Sequence, residues 1–159
     1  MTAPRTRPAR PGDAAAIADL YRRSVTVLGP RDYAADQVAA WAARAPSAEA
    51  VAARNADGRT VVVAVDADDR PVAFGDVEPD GHIDFLYCAP EFAGRGAAAA
   101  VYDRLEEAAR AAGVARLHTE ASEAARRFFA RRGFRELHRR DLDIDGVAIH
   151  NFAMEKDLG

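Results

Sequence analysis

The stretch His82–Gly113 constrains the fold of this chain more than any other part of the sequence. It begins as a strand-like segment, His82–Cys88, and continues through Pro90 and the small-residue loop Ala93–Gly96. An Ala-rich segment with helical composition follows and ends at Gly113. Because the loop opens directly onto this helix, several main-chain N–H groups at the helix start lack intrahelical partners. Together with the positive end of the helix dipole, they predict a phosphate-binding site.

The glycine loop lacks the two best-known phosphate-binding signatures. No Gly-Lys-Ser/Thr sequence follows Gly96, which excludes a P-loop, and the dinucleotide fingerprint Gly-x-Gly-x-x-Gly is absent. Many helices begin after glycine for reasons of turn geometry alone. The loop by itself is therefore weak evidence for phosphate binding, and the neighbouring residues have to be considered as well.

The segment Leu86–Ala98 resembles the core motif of the GNAT family, the acyl-CoA-dependent N-acetyltransferases. That motif is a strand ending in Val-x-Pro, followed by Gln/Arg-x-x-Gly-x-Gly/Ala at a helix start. Gly96 and Ala98 occupy its last two named positions, and Cys88 stands where Val is usual. Ala93 replaces the usual Gln or Arg, which removes a side chain but no main-chain N–H group.

A second segment is similar to another part of the same family. Ser122–Phe134 resembles the pattern Asn-x-x-Ala-x-x-Leu/Phe-Tyr-x-x-x-Gly-Phe, with Ser122 at the Asn position and Phe129 at the Tyr position. The two motifs have the separation that the family shows, and the resemblance extends from about Val61 to Met154.

The order of elements predicts an α/β (α+β) fold with a mixed, mostly antiparallel sheet flanked by helices, and it also resembles the GNAT arrangement. We expect one domain over residues 1–159. Asp13 is a candidate N-cap of the first helix. The predicted helices are Gly12–Val27, Ala34–Ala45, Ser47–Asn55, a helix from Gly96 to Gly113, and Ser122–Arg132. The predicted strands are Thr6–Ala9, Val61–Val65, Pro71–Val77, His82–Cys88, Val114–Glu120, Phe134–Asp143 and Val147–Met154, the last two joined by an Asp145-Gly146 turn.

Composition favours a soluble globular protein in the cytoplasm. The chain has 159 residues, 30% of them charged, and a formal net charge of -3, so no nucleic-acid or membrane partner is expected. The segment Met1–Arg10 has no apolar core typical of a secretory signal. Cys88 is the only cysteine, which excludes an intramolecular disulfide and a zinc site built on several cysteines, and no metal is expected. The sequence does not fix the oligomeric state, and both a monomer and a homodimer are compatible with it.

The GNAT resemblance implies transfer of an acetyl group from acetyl-CoA to a primary amine by direct attack in a ternary complex. It places the pantetheine arm and the thioester along the strand Leu86-Tyr87-Cys88, on the main-chain donors of Leu86 and Cys88. It places the phosphates on the amides of Gly94, Arg95, Gly96, Ala97 and Ala98. Ser122 is then a candidate contact for pantetheine, although a helix N-cap explains it equally well.

His82 is the first candidate for the general base, because some family members place a carboxylate six residues before the position of Cys88. Residues two apart on a strand share a face, so Asp84 is expected to orient the imidazole. Asp84 and Glu78 are the alternative bases, and an exposed strand start is the non-catalytic interpretation of His82. Phe129 has no proton to give to the departing thiolate. The proton donor is then Tyr87 or Tyr102, or the thiolate departs unassisted.

Two other interpretations stay open from the sequence. One is a non-catalytic acyl-CoA-binding module that senses its ligand and acts on a protein partner. The other is an unrelated α+β protein with a fortuitous loop. The acceptor is expected to bind under the N-terminal helices, where Tyr21, Tyr33 and Trp41 lie, and the sequence does not name it.

Overall fold

The computed structural model describes residues 4–159. Residues 1–3, the start of the segment interpreted above as lacking a secretory signal, lie outside the described residues. The helices are α1 (Ala14–Leu28), α2 (Ala35–Ala42), α3 (Ala48–Asn55), α4 (Ala97–Ala111) and α5 (Glu123–Arg131). The strands are β1 (Arg5–Pro8), β2 (Thr60–Val65), β3 (Pro71–Val77), β4 (His82–Ile83), β5 (Leu86–Cys88), β6 (Arg116–Ala121), β7 (Arg135–Ile144) and β8 (Val147–Asp157).

The strands form two four-stranded sheets, in the orders β1-β2-β3-β5 and β4-β6-β8-β7. Only the β4–β6 pair is parallel; every other pair within the described residues is antiparallel. Helices cover the sheets, so the expected α/β class with a mixed, mostly antiparallel arrangement is confirmed. Because β4 and β5 are consecutive in the chain, the polypeptide leaves one sheet and enters the other between Ile83 and Leu86.

The single strand predicted over His82–Cys88 is therefore wrong: it is two short strands separated by Asp84 and Phe85. The buried carboxylate of Asp76, on β3, provides the physical reason. Its Oδ1 accepts the N–H groups of Asp84 (3.1 Å) and Phe85 (3.3 Å), which have no strand partner at the break. A side chain thus satisfies the main chain where the two sheets separate.

The core lies on both faces of the first sheet. On β2, Val62 and Ala64 pack in the cluster that contains Val101 and Leu105 of α4. Val63 and Val65 point the other way, into the cluster that contains Ile17 and Leu20 of α1. Burial on both faces explains why the sequence of this strand is an unbroken apolar run and does not alternate with polar residues.

Most predicted boundaries agree with the structure to within a few residues, with one local correction at the first helix. Asp13 makes no capping hydrogen bond to α1. Its carboxylate instead accepts the N–H of Arg10 (2.7 Å) and the guanidinium of Arg7 (2.8 Å), because a 3₁₀ turn at Pro11–Asp13 precedes the helix. The β7–β8 hairpin turns at Asp145 and Gly146, as predicted.

None of the helices described in residues 4–159 combines the length and the apolar character needed to cross a membrane.

Candidate functional site

Two adjoining cavities run between the diverging sheets and share six lining residues. One reaches Cys88 and the first turn of α4 at Ala98. The other reaches Asp84 and Glu120 at the end of β6. The shared residues are Tyr33, Trp41, Leu86, Tyr87, Ser122 and Ala125. Together the cavities form a continuous cleft from the first turn of α4, next to the glycine loop, to the carboxylates of Asp84 and Glu120.

The cleft is bordered by the free edge of β5. Ala89 donates its N–H to the carbonyl of Val72 (2.8 Å), and Asp76 donates to the carbonyl of Phe85 (3.0 Å). Since antiparallel pairs alternate between bonded and non-bonded positions, the N–H groups of Leu86 and Cys88 point away from β3. No strand lies on that side of β5 in the described part of the chain, and neither group donates to a protein acceptor there. Leu86 and Cys88 therefore have free main-chain donors at the positions where the GNAT resemblance implied them.

Tyr87 differs from its two neighbours on the strand. By the same alternation its N–H is directed to Phe74 of β3, so its main chain is not available to a ligand. Its ring packs against Tyr21 (ring centroids 4.5 Å apart) and lines both cavities. Any contact of Tyr87 with a ligand would therefore be made by the side chain.

Of the five amides that the GNAT resemblance assigned to the phosphates, four are open and one is bonded within the loop. The φ angles of Gly94 and Gly96 are 75° and 84°, and no atom lies within 4 Å of a Cβ added at either residue. The N–H groups of Gly94, Gly96, Ala97 and Ala98 donate to no acceptor within the described residues. The Arg95 amide donates to the carbonyl of Phe92 (3.2 Å), so it is not the free donor predicted from the sequence.

His82 lies between two carboxylates. Its Nδ1 is 2.8 Å from Oε1 of Glu78, its Nε2 is 2.8 Å from Oε1 of Glu120, and its ring stacks on His118. The hydrogen bond to Glu120 is the largest cause that raises the pKa of His82 to about 9. At neutral pH the ring is therefore protonated and donates both hydrogen bonds.

Asp84 does not orient His82, contrary to the prediction. Its carboxylate pairs with Arg54 (2.7 Å), whose guanidinium also contacts Asp76 (2.9 Å). The prediction assumed an unbroken strand, and the break after Ile83 ends the alternation that would place the two side chains on one face. Asp84 nevertheless lines the cleft.

Glu120 is a candidate site residue that sequence reasoning missed. It lines the cleft, whereas His82 does not, and the hydrogen bond from His82 lowers the pKa of its carboxyl group. The contact depends on the parallel pairing of β4 with β6, in which His82 lies opposite His118. Nothing in the local sequence of either strand indicates that pairing.

The aromatic positions have separate roles. Phe129 is 2% exposed and packs on Phe134, with ring centroids 4.8 Å apart. Tyr102 donates to Glu106 (2.6 Å) and lines neither cavity. Tyr33 lines both cavities; its hydroxyl donates to the carbonyl of His150 (3.0 Å) and accepts the N–H of Glu123 (3.0 Å). Tyr102 is therefore not placed to protonate a leaving group in the cleft.

Cys88 and Ser122 complete the walls. Burial raises the pKa of the Cys88 thiol to about 11, so the thiol is protonated at neutral pH and is a poor nucleophile. The Oγ of Ser122 accepts the N–H of Ala125 (3.3 Å), which confirms its interpretation as the N-cap of α5. The hydroxyl proton remains available to a ligand in the cleft.

Comparison with known proteins agrees with this geometry. The model of the acetyltransferase (GNAT) domain matches residues 30–156. The chain is 28% identical over 145 residues to the uncharacterized N-acetyltransferase YafP of Escherichia coli K12, covering 91% of this chain and 90% of that protein. A GCN5-related N-acetyltransferase structure from Rhodopseudomonas palustris is 36% identical, with a TM-score of 0.89 and coverage of 99% and 98%.

A more distant structure shares the fold. The phosphinothricin acetyltransferase of Sinorhizobium meliloti, solved in complex with AcCoA, is 20% identical, with a TM-score of 0.79 and coverage of 99% of this chain and 90% of that one. At this identity the likeness concerns the fold alone.

The pKa of His82 predicts a pH-dependent contribution to stability. The pKa of His82 is about 9 in the folded protein, against an ordinary value of 6.5. The protonated ring therefore contributes its full stabilisation of the fold below pH 6.5, and this contribution is lost as the pH rises through 9. We expect His82→Gln to lower the free energy of unfolding by about 2 kcal/mol more at pH 6 than at pH 9.5, measured by urea unfolding.

His138→Gln is the matched control for this measurement. His138 is exposed on β7 and has no carboxylate partner within residues 4–159, so its substitution should have the same effect at both pH values. An equal loss of stability at both pH values for His82→Gln would contradict the protonated state assigned to His82.

Proposed function

The chain belongs to the GNAT family of acetyltransferases, and on that premise we propose that it transfers the acetyl group of acetyl-CoA to a primary amine within a ternary complex. The observation that supports this most is the cleft itself. It joins open amides at the start of α4 to the free donors of Leu86 and Cys88 and ends at Asp84 and Glu120. Complexes with coenzyme A or AcCoA among similar folds support the choice of cosubstrate.

The residues present suit acetyl-CoA. Under this proposal the diphosphate is bound by the amides of Gly94, Gly96, Ala97 and Ala98, where the positive end of the helix dipole adds to the attraction. The pantetheine arm lies along β5 and against Ser122. The N–H of Leu86 or Cys88 donates to the thioester carbonyl, which polarises the carbon that the amine attacks.

The chemistry needs one C–N bond to form while the C–S bond breaks, and the attacking nitrogen has to give up a proton. Glu120 lines the cleft and contacts Nε2 of His82. We therefore propose that the proton passes from the attacking nitrogen to Glu120 and then to His82. Only neutral imidazole accepts a proton, and the pKa of His82 is about 9. Asp84, at the same end of the cleft, attracts the ammonium form of the acceptor.

One observation favours the second candidate, a non-catalytic acyl-CoA-binding module. Phe129 stands where many family members have a tyrosine that protonates the thiolate, and its ring is buried in the core. A coenzyme A thiolate leaves without strong assistance, so this departure affects the rate more than the possibility of reaction. Release of free thiol from acetyl-CoA in the presence of an amine panel distinguishes the two functions.

The glycine loop can be tested by Gly96→Val. A branched side chain would project into the space next to the free amides, and we expect the affinity for coenzyme A to fall by at least about tenfold, measured by calorimetry. Gly113→Val is the matched control, because Gly113 ends the same helix with a φ of 78° and open space around an added Cβ. Equal affinity of the two variants would contradict the placement of the phosphates.

The proton route can be tested by the pH dependence of kcat/KM. Since neutral His82 is the acceptor, kcat/KM should rise about tenfold per pH unit and level off near pH 9. We expect His82→Gln to lower kcat/KM by about 10² at pH 9.

Glu78→Gln separates this rise from ionisation of the amine itself and leaves the relay through Glu120 in place. Glu78 contacts Nδ1 of His82 (2.8 Å) and also raises its pKa, so removing this carboxylate should move the rise to lower pH, whereas the amine titrates as before. An unchanged profile in both variants would contradict the route through His82.

A further inference from the structure

We infer that the acceptor is a monoamine with an apolar, aromatic-sized body and no carboxylate, because one end of the cleft joins two carboxylates to a wall of branched aliphatic and aromatic side chains. This inference rests on the proposed function and names the substrate class of the same site.

The apolar wall is contributed by separate elements. Leu142 and Ile144 of β7 and Ile149 of β8 line the same cavity as the two carboxylates. Trp41 and Tyr33 line the same cavity, with ring centroids 5.6 Å apart and a nearly perpendicular arrangement. Such a surface binds an apolar group by removing it from water, and the aromatic rings favour an aromatic partner.

The carboxylates select for a single cationic group at their end of the cleft. Asp84 and Glu120 line this cavity, and no further carboxylate lines it within the described residues. A polyamine would have to place its second ammonium group near Leu142, Ile144 and Ile149, where it loses water and the lining offers no further carboxylate to pair with it. The arrangement therefore disfavours polyamines.

No Arg or Lys side chain lines the cavity within residues 4–159, so an amino-acid carboxylate has no cationic partner there. The guanidinium of Arg54 lies behind Asp84 and is paired with it and with Asp76. His150 lines the cavity, but its Nε2 is 3.5 Å from the carboxylate of Glu123. A free amino acid would bring a second negative charge next to Asp84 and Glu120, which costs affinity.

The test compares three amines with matched features. 2-Phenylethylamine carries the apolar body and one amine, phenylalanine adds only a carboxylate, and spermidine replaces the body with further amines. We expect kcat/KM for 2-phenylethylamine to exceed that for each of the others by at least about 10², because their extra charged groups are left unpaired in the cleft. A higher value for phenylalanine or spermidine would overturn the inference.

Binding measured separately distinguishes this inference from the proposed function. Calorimetric titration of the same amines into the protein with coenzyme A should show the same order of affinity. If 2-phenylethylamine binds most tightly and no amine is acetylated, the inferred ligand class is supported and the proposed acetyl transfer is contradicted. If acetylation occurs and the order of affinity is reversed, the proposed function is supported and the inferred ligand class is contradicted.

A wall variant adds a second readout. Leu142→Ala should lower kcat/KM for 2-phenylethylamine by about tenfold and leave that for ethylamine, which does not reach the wall, within about twofold. Leu137→Ala is the control, because Leu137 lies on the same strand and is 50% exposed outside the cleft. Equal losses for both amines in Leu142→Ala would overturn the assignment of this wall to the acceptor body.

Discussion

The site depends on the hydrogen bonds that the buried carboxylate of Asp76 accepts from the main chain. This carboxylate accepts the two N–H groups that become unpaired where the chain passes from one sheet to the other, at Asp84 and Phe85. A buried charge is costly unless it is paired, and the guanidiniums of Arg54 (2.9 Å) and Arg59 (3.5 Å) supply that pairing. Because the break is stabilised there, β5 keeps a free edge, and its donors face the cleft.

The charges at the acceptor end form a second network that links folding to chemistry. Glu78 and Glu120 hold the imidazole of His82 and keep it protonated at neutral pH, and Glu120 also lines the cleft. The same hydrogen bond that stabilises the fold below pH 6.5 therefore withholds the proposed base until the pH approaches 9. Stability and the proposed proton acceptance therefore oppose each other at this residue.

Local patterns allowed the main elements of the fold and the open glycine loop before α4 to be predicted, because they depend on residues close in sequence. The apolar run of β2, the Asp145-Gly146 turn and the glycines before α4 each specify their own conformation. The break after Ile83 and the contact from His82 to Glu120 could not be predicted, because they depend on Asp76 and on parallel pairing with β6. The free amide wrongly expected at Arg95 reflects a turn within the loop that composition does not reveal.

A crystal structure of the protein with acetyl-CoA would test the central claim most directly. The account predicts that the N–H of Leu86 or Cys88 lies at hydrogen-bond distance, about 2.9 Å, from the thioester carbonyl or the pantetheine arm, with the hydrogen bonds from Asp84 and Phe85 to Asp76 intact. A ligand bound elsewhere, with the β5 donors bonded only to water or to a neighbouring strand, would contradict it.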